Sequence, residues 1–561
     1  MKKKAFQKLT ALLAVTAMSA SLLTGCGSDA SGSNDTATNN AQESTASAGT
    51  QEANSEHPSW ISDEPLEISI MTPDANQQPM AQDSKSHEAI FEATNVKLNF
   101  QIVPTDSYDE KKNIALSTQN FPDIILLTST SDISDFASEG IFEPLNQYIN
   151  EETMPNFYKF WQQYPEMQRY MVDGEMYVFN QVIREEWANG FGPVIRTDLL
   201  EENGIATPTT WDEVLDALAQ LKEIYPDSTP WATRWGTANL LKTTSYMLGS
   251  GFGSVSPSSG MYWDEDLGKY VYGPADTNFK EVLKFLNKAY TTGVLDQEYA
   301  TTDSDSMMTK CTSGQSFFFF LDNSGFGQNY TKELRKIDGN ENATFQVLPI
   351  PENSLGERRA VSYNTRFDRL YAINVNAKNK DQIIKFIDWM YSMEASDITN
   401  YGIEGETFQY NADGEAEYIS DYVMQFKDAS PSDYYACWTD IGAGKLDFSM
   451  YACNIKTQRE IQMITGNWSD LAEDYWKIIN DDDAYVQPHI APPFTTEEAE
   501  RVKELTTDLD TFFTQEYDKY IIGKESIDNW DALIKKAEDM GVRELEQLWN
   551  DAEARAVAET K

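Results

Sequence analysis

From Leu66 onward the apolar and polar positions set out strands and helices in turn. Leu66, Ile68 and Ile70 alternate with Glu67 and Ser69, the period-two signature of a half-buried strand. A helix follows around His87 to Ala93. Leu98, Phe100 and Ile102 alternate again, and Tyr108 to Thr118 reads as a second helix. Phe121-Pro122-Asp123-Ile124-Ile125-Leu126-Leu127 is then a continuous apolar run, as expected of a strand covered on both faces. This β-α-β-α-β order predicts right-handed crossovers and a parallel sheet. Ligands of such sheets sit beyond the carboxyl ends of the strands, so Thr72 to Gln77 and Thr128 to Asp132 are expected to face one.

Later helices announce themselves by caps and stripes. Thr210 with Glu213 forms a capping box, and Val214, Leu215, Leu218 and Leu221 make one apolar face behind it. Phe279, Val282, Leu283, Phe285 and Leu286 mark another helix, Ile383, Ile384, Ile387 and Met390 a third, and Thr495 with Glu498 caps one more. From Thr506 the chain is expected to be helical throughout. Trp263 to Lys269 superficially looks like a calcium loop. It lacks the third oxygen ligand and the distal Glu, and a hairpin turn before Tyr270-Val271-Tyr272-Gly273 is the better reading. Asp481-Asp482-Asp483 reads as a solvated loop.

The region ahead of this body is different. Lys2, Lys3 and Lys4 precede an apolar run from Leu12 to Leu23, the layout of a secretory signal. Leu23-Thr24-Gly25-Cys26 resembles the bacterial lipobox, which implies cleavage before Cys26 and a diacylglycerol on its thiol. The run is too short for a membrane span. Residues 27–56 contain no aromatic or large aliphatic side chain and are expected to remain disordered. As a flexible coil they reach about 30 Å, which suits a tether between a membrane surface and a globular body.

The body itself, about 500 residues from Pro58 to Lys561, exceeds a single core and suffices for two lobes. Its 40% apolar and 12% aromatic content is that of a packed globular protein. The formal charge is −46, and loss of the signal's four lysines makes it about −50. Nucleic acid, which requires a basic face, is excluded as a partner, as is a polybasic membrane contact. After Cys26 only Cys311, Cys437 and Cys453 remain. Cys437 and Cys453 could form a disulfide, but free buried thiols are favoured. The three histidines, His57, His87 and His489, are scattered, so neither a histidine triad nor a histidine-rich metal site is supported.

The order of motifs along the mature chain resembles extracellular solute-binding protein family 1, the sugar and oligosaccharide receptors of ABC importers. The resemblance rests on Tyr108-Asp109-Glu110-Lys111 through Phe121-Pro122-Asp123-Ile124-Ile125, on Glu139-Gly140-Ile141-Phe142-Glu143-Pro144-Leu145, and on Asp173-Gly174-Glu175-Met176-Tyr177. It continues through Ile195-Arg196-Thr197-Asp198-Leu199-Leu200 and Pro208-Thr209-Thr210-Trp211-Asp212-Glu213. Ile387-Asp388-Trp389-Met390-Tyr391, Tyr401-Gly402-Ile403-Glu404-Gly405, Tyr520-Ile521-Ile522-Gly523 and Asn529-Trp530-Asp531 are similar to a large oligosaccharide-type subgroup. The run Phe317-Phe318-Phe319-Phe320 departs from the family in its aromaticity.

The resemblance implies an α/β, two-lobed periplasmic-binding-protein-like fold (type II) with the ligand cleft between lobes and crossings near Tyr177 and Leu370. The expected layout is a lipoprotein signal peptide over 1–25 and a lipidated Cys26 with linker over 26–57. Lobe 1 is expected over 58–178 and 371–430, and lobe 2 over 179–370 and 431–561. The implied protein is a monomeric, lipid-anchored receptor facing outward, without catalysis, cofactor or metal, which hands a carbohydrate to ABC permease subunits. An extracellular glycoside hydrolase using paired carboxylates, and an adhesin or sensor-associated receptor, are the alternatives.

Sugars call for flat aromatics and planar polar groups. Of the thirteen tryptophans, Trp389 and Trp530 lie in periodic helices and read as packing. Trp187, Trp231, Trp235 and Trp438 lie in polar or turn-rich stretches and are candidates for stacking. The polar candidates are Asp74 after the first strand, Thr128 and Ser129 after the third, and Asn180 at the first crossing. Asp322 follows the phenylalanine run, and Arg366 precedes the second crossing.

Overall fold

The computed structural model describes residues 60–74, 79–184, 191–251, 260–322, 326–361, 366–427, 433–443, 448–466, 473, 477–478, 483–486 and 489–559. The chain lays down β1 (Leu66–Asp74), β2 (Val96–Pro104), β3 (Ile124–Leu127) and β4 (Val178–Ile183). It then leaves for β5 (Phe191–Arg196), β6 (Met261–Asp264), β7 (Lys269–Tyr272), β8 (Phe318–Asp322), β9 (Phe345–Val347) and β10 (Ala360–Val361). It returns in β11 (Phe367–Ile373), the hairpin β12 (Phe408–Tyr410) and β13 (Ala416–Tyr418), and β14 (Tyr451–Ala452), before β15 (Tyr485–Val486).

One sheet has the order β14-β4-β11-β3-β1-β2. β1 is parallel to both β2 and β3, whereas β11 is antiparallel to β3 and β4. β3 is buried along its whole length, as its unbroken apolar run requires. Helices Lys85–Thr94 and Thr105–Ser117 make the crossovers. The second lobe is built on the antiparallel sheet β8-β5-β9. There Phe318 and Phe320 pack on Trp231, while Phe319 packs on Tyr330 and Phe345. The aromatic run is therefore buried on both faces.

Local signals in the sequence translate directly. Thr210 and Glu213 cap the helix Trp211–Ile224, and Thr495 and Glu498 cap Thr496–Ile521, both as reciprocal boxes. Asp264 to Lys269 is a hairpin turn, with Asp264 Oδ1 accepting from Leu267 N at 2.8 Å. Trp389 and Trp530 are buried in helices, and Cys311, Cys437 and Cys453 are free and buried.

The lobe boundary falls elsewhere than expected. β4 belongs to the first sheet through Ile183, and β14 joins it from far down the chain. Helices Asp433–Ile441 and Asn454–Thr465 close a core of Tyr401, Phe408, Tyr418, Tyr422 and Trp438 beside that sheet. These two helices therefore pack with lobe 1, not lobe 2. The helices from Thr496 to Glu559 return to the lobe 2 core through Leu509, Phe513, Leu545 and Trp549. Cys26 and the linker lie outside the described residues.

Candidate ligand-binding site

The cleft-facing end of the first sheet can be read from register. Met71 pairs with Ile125, so three residues further along these parallel strands Asp74 stands level with Thr128. Leu127 pairs with Leu370, and Leu370 with Asn180. Asp74, Thr128 and Arg369 thus form one row across β1, β3 and β11, at the carboxyl ends of β1 and β3, while Asn180 stands level with Leu127 in the middle of β4.

Their side chains differ in commitment. Asp74 Oδ1 accepts from Met80 N at 2.9 Å, which orders the turn after β1. The Thr128 hydroxyl donates to Asp109 Oδ1 at 2.5 Å and receives the Lys112 ammonium. Lys112 also meets Asp132 at 2.6 Å. Hydrogen bonding from Thr128, with Lys112 beside it, holds Asp109 below the usual carboxylate range. Ser129 caps the helix Thr130–Ala137 in a reciprocal box with Asp132. Thr128 and Ser129 therefore hold the sheet edge together internally.

Asn180 is 0% exposed, and neither atom of its side-chain amide has a partner, although its main-chain oxygen accepts from Tyr391 Oη at 2.6 Å. Arg369 sits in a β-bulge between Asp368 and Leu370, with φ of 46°. Two of its guanidinium nitrogens, Nε and Nη1, are buried without partners.

Beyond the row, β4 and β11 end in a ladder of cations and rings. The Arg184 guanidinium lies 5.3 Å from the Tyr451 ring and binds Ser396 Oγ and Asp397 Oδ1 at 2.9 and 3.1 Å. Tyr451 packs on Phe160, Phe160 stacks on Tyr164, and Arg366 covers Tyr164 at 5.1 Å. Arg366 also exchanges main-chain contact with Ile183, its oxygen accepting from Ile183 N at 2.8 Å.

In lobe 2, Trp231 forms a parallel bridge with Phe318, and the chain then runs in the direction of β8 toward Asp322. Asp322 pairs with Phe191, the first described residue after the crossing; for Asp322 only the backbone is described. Trp235 emerges along this path 60% exposed, with φ of 62°. Its main-chain N–H donates to Thr302 O at 2.8 Å, and the Arg234 guanidinium lies 3.8 Å from its ring centre. Trp231, by contrast, is 1% exposed in the core, and Trp438 is buried among the aromatics around Tyr401 and Tyr418. Neither offers a face to a ligand in this conformation, because each fills the gap between packed elements. Trp187 lies outside the described residues.

Sequence reasoning missed Arg369, Arg184, Tyr451 and Tyr164. A signal for the first existed: Asp368 and Arg369 put two polar residues in succession between Phe367 and Leu370, breaking the period-two pattern as a bulge does. Tyr451 enters the sheet from too far along the chain for any local signal.

Two α/β lobes joined by chain crossings in both directions are the architecture of a two-lobed binding protein. Residues 72–397 match the bacterial extracellular solute-binding protein family, and the chain belongs to it. It is 23% identical over 474 residues to the fructooligosaccharide ABC transporter substrate-binding protein FusA of Streptococcus pneumoniae, covering 80% of this chain and 82% of that protein. It is 22% identical over 502 residues to the polygalacturonan/rhamnogalacturonan-binding protein YtcQ of Bacillus subtilis, covering 87% and 92%. The crystal structure of the alginate-binding protein AlgQ2 superposes with a TM-score of 0.71 at 21% identity, covering 88% and 99%.

Proposed function

We propose that this protein is the lipid-anchored receptor of an ABC importer, held at the outer face of the cell membrane through Cys26, and that it captures an oligosaccharide by closing its lobes. The observation that carries the reading is Trp235. A large aromatic side chain is exposed, held in a left-handed backbone conformation unfavourable to it, at the end of lobe 2 that adjoins the crossing. Water contact and strain both disfavour that placement in isolation. A sugar ring stacked on the indole removes the first and makes use of the second. The relatives' names support the ligand class, since they specify fructooligosaccharide, polygalacturonan and rhamnogalacturonan.

Binding here needs no chemistry on the substrate. The site residues orient and desolvate a polyol, and closure presents the two lobes to permease subunits in one geometry. As a lipid-anchored monomer, the receptor samples the membrane surface until it meets the permease.

The test is titration of the mature chain, produced without its lipid, against plant and microbial oligosaccharides. Intrinsic fluorescence, melting temperature and chromatography of the sugar are followed together. A saturable spectral change with a ligand-dependent rise in melting temperature and intact sugar is the expected outcome. Shorter products would replace the receptor with a hydrolase.

A further inference from the structure

We infer that Arg234 is a positioning residue for the ligand: it occupies one face of the Trp235 indole and holds the ring as a one-sided platform, on whose other face a single sugar ring stacks. This rests on the receptor reading above.

The main chain under the indole is held from two directions. Trp235 N donates to Thr302 O at 2.8 Å, and Asn239 Nδ2 donates to Arg234 O at 3.0 Å. Trp235 and Gly236 follow one another at positive φ, 62° and 76°. At Gly236 the turn runs so close to Ala300 that a Cβ would stand 3.1 Å from its carbonyl oxygen. Tryptophan is a poor residue for such a backbone, yet the turn keeps its shape and gives the side chain one direction of departure.

Beyond Cβ the ring still has its own torsions, and an exposed side chain ordinarily samples several rotamers. Here the Arg234 guanidinium lies over the indole, 3.8 Å from the ring centre, which is stacking distance for a planar cation. Its Nη1 donates to Ser304 Oγ at 3.4 Å, at the first residue of the helix Ser304–Thr312. The indole is thus connected through the guanidinium to a regular element of lobe 2. Trp235 is nevertheless 60% exposed, so its open surface is the face turned away from the guanidinium, together with the ring edge.

An exposed cation–π pair adds little to the stability of a fold. It matters more to binding, because a ring immobilised before the ligand arrives is spared the ordering that binding otherwise imposes. The covered face also sets the stoichiometry. Two sugar rings cannot sandwich this indole, and the one that stacks must present a contiguous C–H face.

The experiment is a double-variant cycle in calorimetry. Fructooligosaccharides and oligogalacturonates are titrated first, and the tightest binder is measured against R234A, R234K, W235G and the R234A W235G double variant. R234A is expected to bind about three- to tenfold more weakly than the wild type, with its ligand-free melting temperature unchanged. R234K keeps the cation without the planar stack and should recover part of the loss. In the W235G background R234A should have no further effect, since the ring it positions is gone. With 5-fluorotryptophan incorporated, the fluorine resonance missing from W235G belongs to Trp235. In ligand-free R234A that resonance should move toward the position of the free amino acid, as rotamer averaging requires.

An R234A that binds as the wild type does, or whose Trp235 resonance stays in place, overturns the inference. So does a loss that persists undiminished in the W235G background, because Arg234 would then act on the ligand directly. A wild type that binds sugar no better than W235G does removes the platform and leaves the receptor reading intact. Failure to bind any carbohydrate removes that reading and this inference with it.

Discussion

Trp231 and Trp235 share one loop and one set of neighbouring turn formers, yet the first is sealed in the core and the second stands in water. What separates them is pairing with β8: Trp231 bridges Phe318, and the chain then outruns the cover. No local pattern contains that information, so the two residues were indistinguishable in the sequence. Their substitution should separate them. W231A is expected to destabilise the protein by about 3–5 kcal/mol, as large aromatic truncations in cores do, seen as a lower midpoint in denaturant. W235G should leave the midpoint unchanged or raise it, since glycine suits a φ of 62°. It should also weaken oligosaccharide binding about tenfold in calorimetry. A drop in stability without loss of affinity would make Trp235 a structural residue.

At the scale of elements the sequence was most legible where one stretch of chain contains its own instruction. The alternation of β1 and β2, the solid apolar run of β3 and both capping boxes read through to structure because strand period and helix caps are local. T210A should cost about 1 kcal/mol, measurable in denaturant. Elements assembled from distant pieces were not legible, and the packing around Glu460 is an example. Its helix, Asn454–Thr465, lies against β13, where the carboxylate accepts from Tyr418 N. Burial pushes Glu460 up from 4.5 to about 7. A carboxyl group whose native value is raised favours the folded state at low pH, and that advantage is lost as pH rises from 4.5 through 7. E460Q keeps the acceptor and discards the charge. It should therefore match the wild type near pH 4 and exceed it at pH 8 by on the order of 2–3 kcal/mol, read from paired denaturation curves. Equal stability of the two proteins at pH 8 would show the carboxylate to be well solvated.

For the molecule as a whole, the two lobe cores are tied together by the C-terminal helices. Arg169, beside the lobe 1 core residue Tyr170, meets Glu553 with two bonds of 2.7 and 2.8 Å. Glu553 belongs to Val542–Glu559, a helix of the lobe 2 core. Lys503 of the same helical region reaches Asp135 of lobe 1 at 2.5 Å. R169A strands a mostly buried carboxylate and should cost about 2–3 kcal/mol, with E553A restoring part of it in the double variant. If both single variants and the double are equally stable, the pair contributes nothing net. The expected division at 431 missed the helices Asp433–Ile441 and Asn454–Thr465 because their apolar residues complete a core begun by Tyr401 and Tyr418, a partnership invisible to spacing.

β11 fills the gap between β3 and β4, and Leu127 finds Leu370 there. The first sheet is thus open at its middle until the ribosome has made the second lobe and come back. A chain arranged this way has long sequence separations at its centre, and such pairings form slowly. For a member of an extracellular family, which has to cross a membrane, that delay is an advantage. The half-made sheet cannot close early, and the polypeptide stays threadable for as long as transit takes.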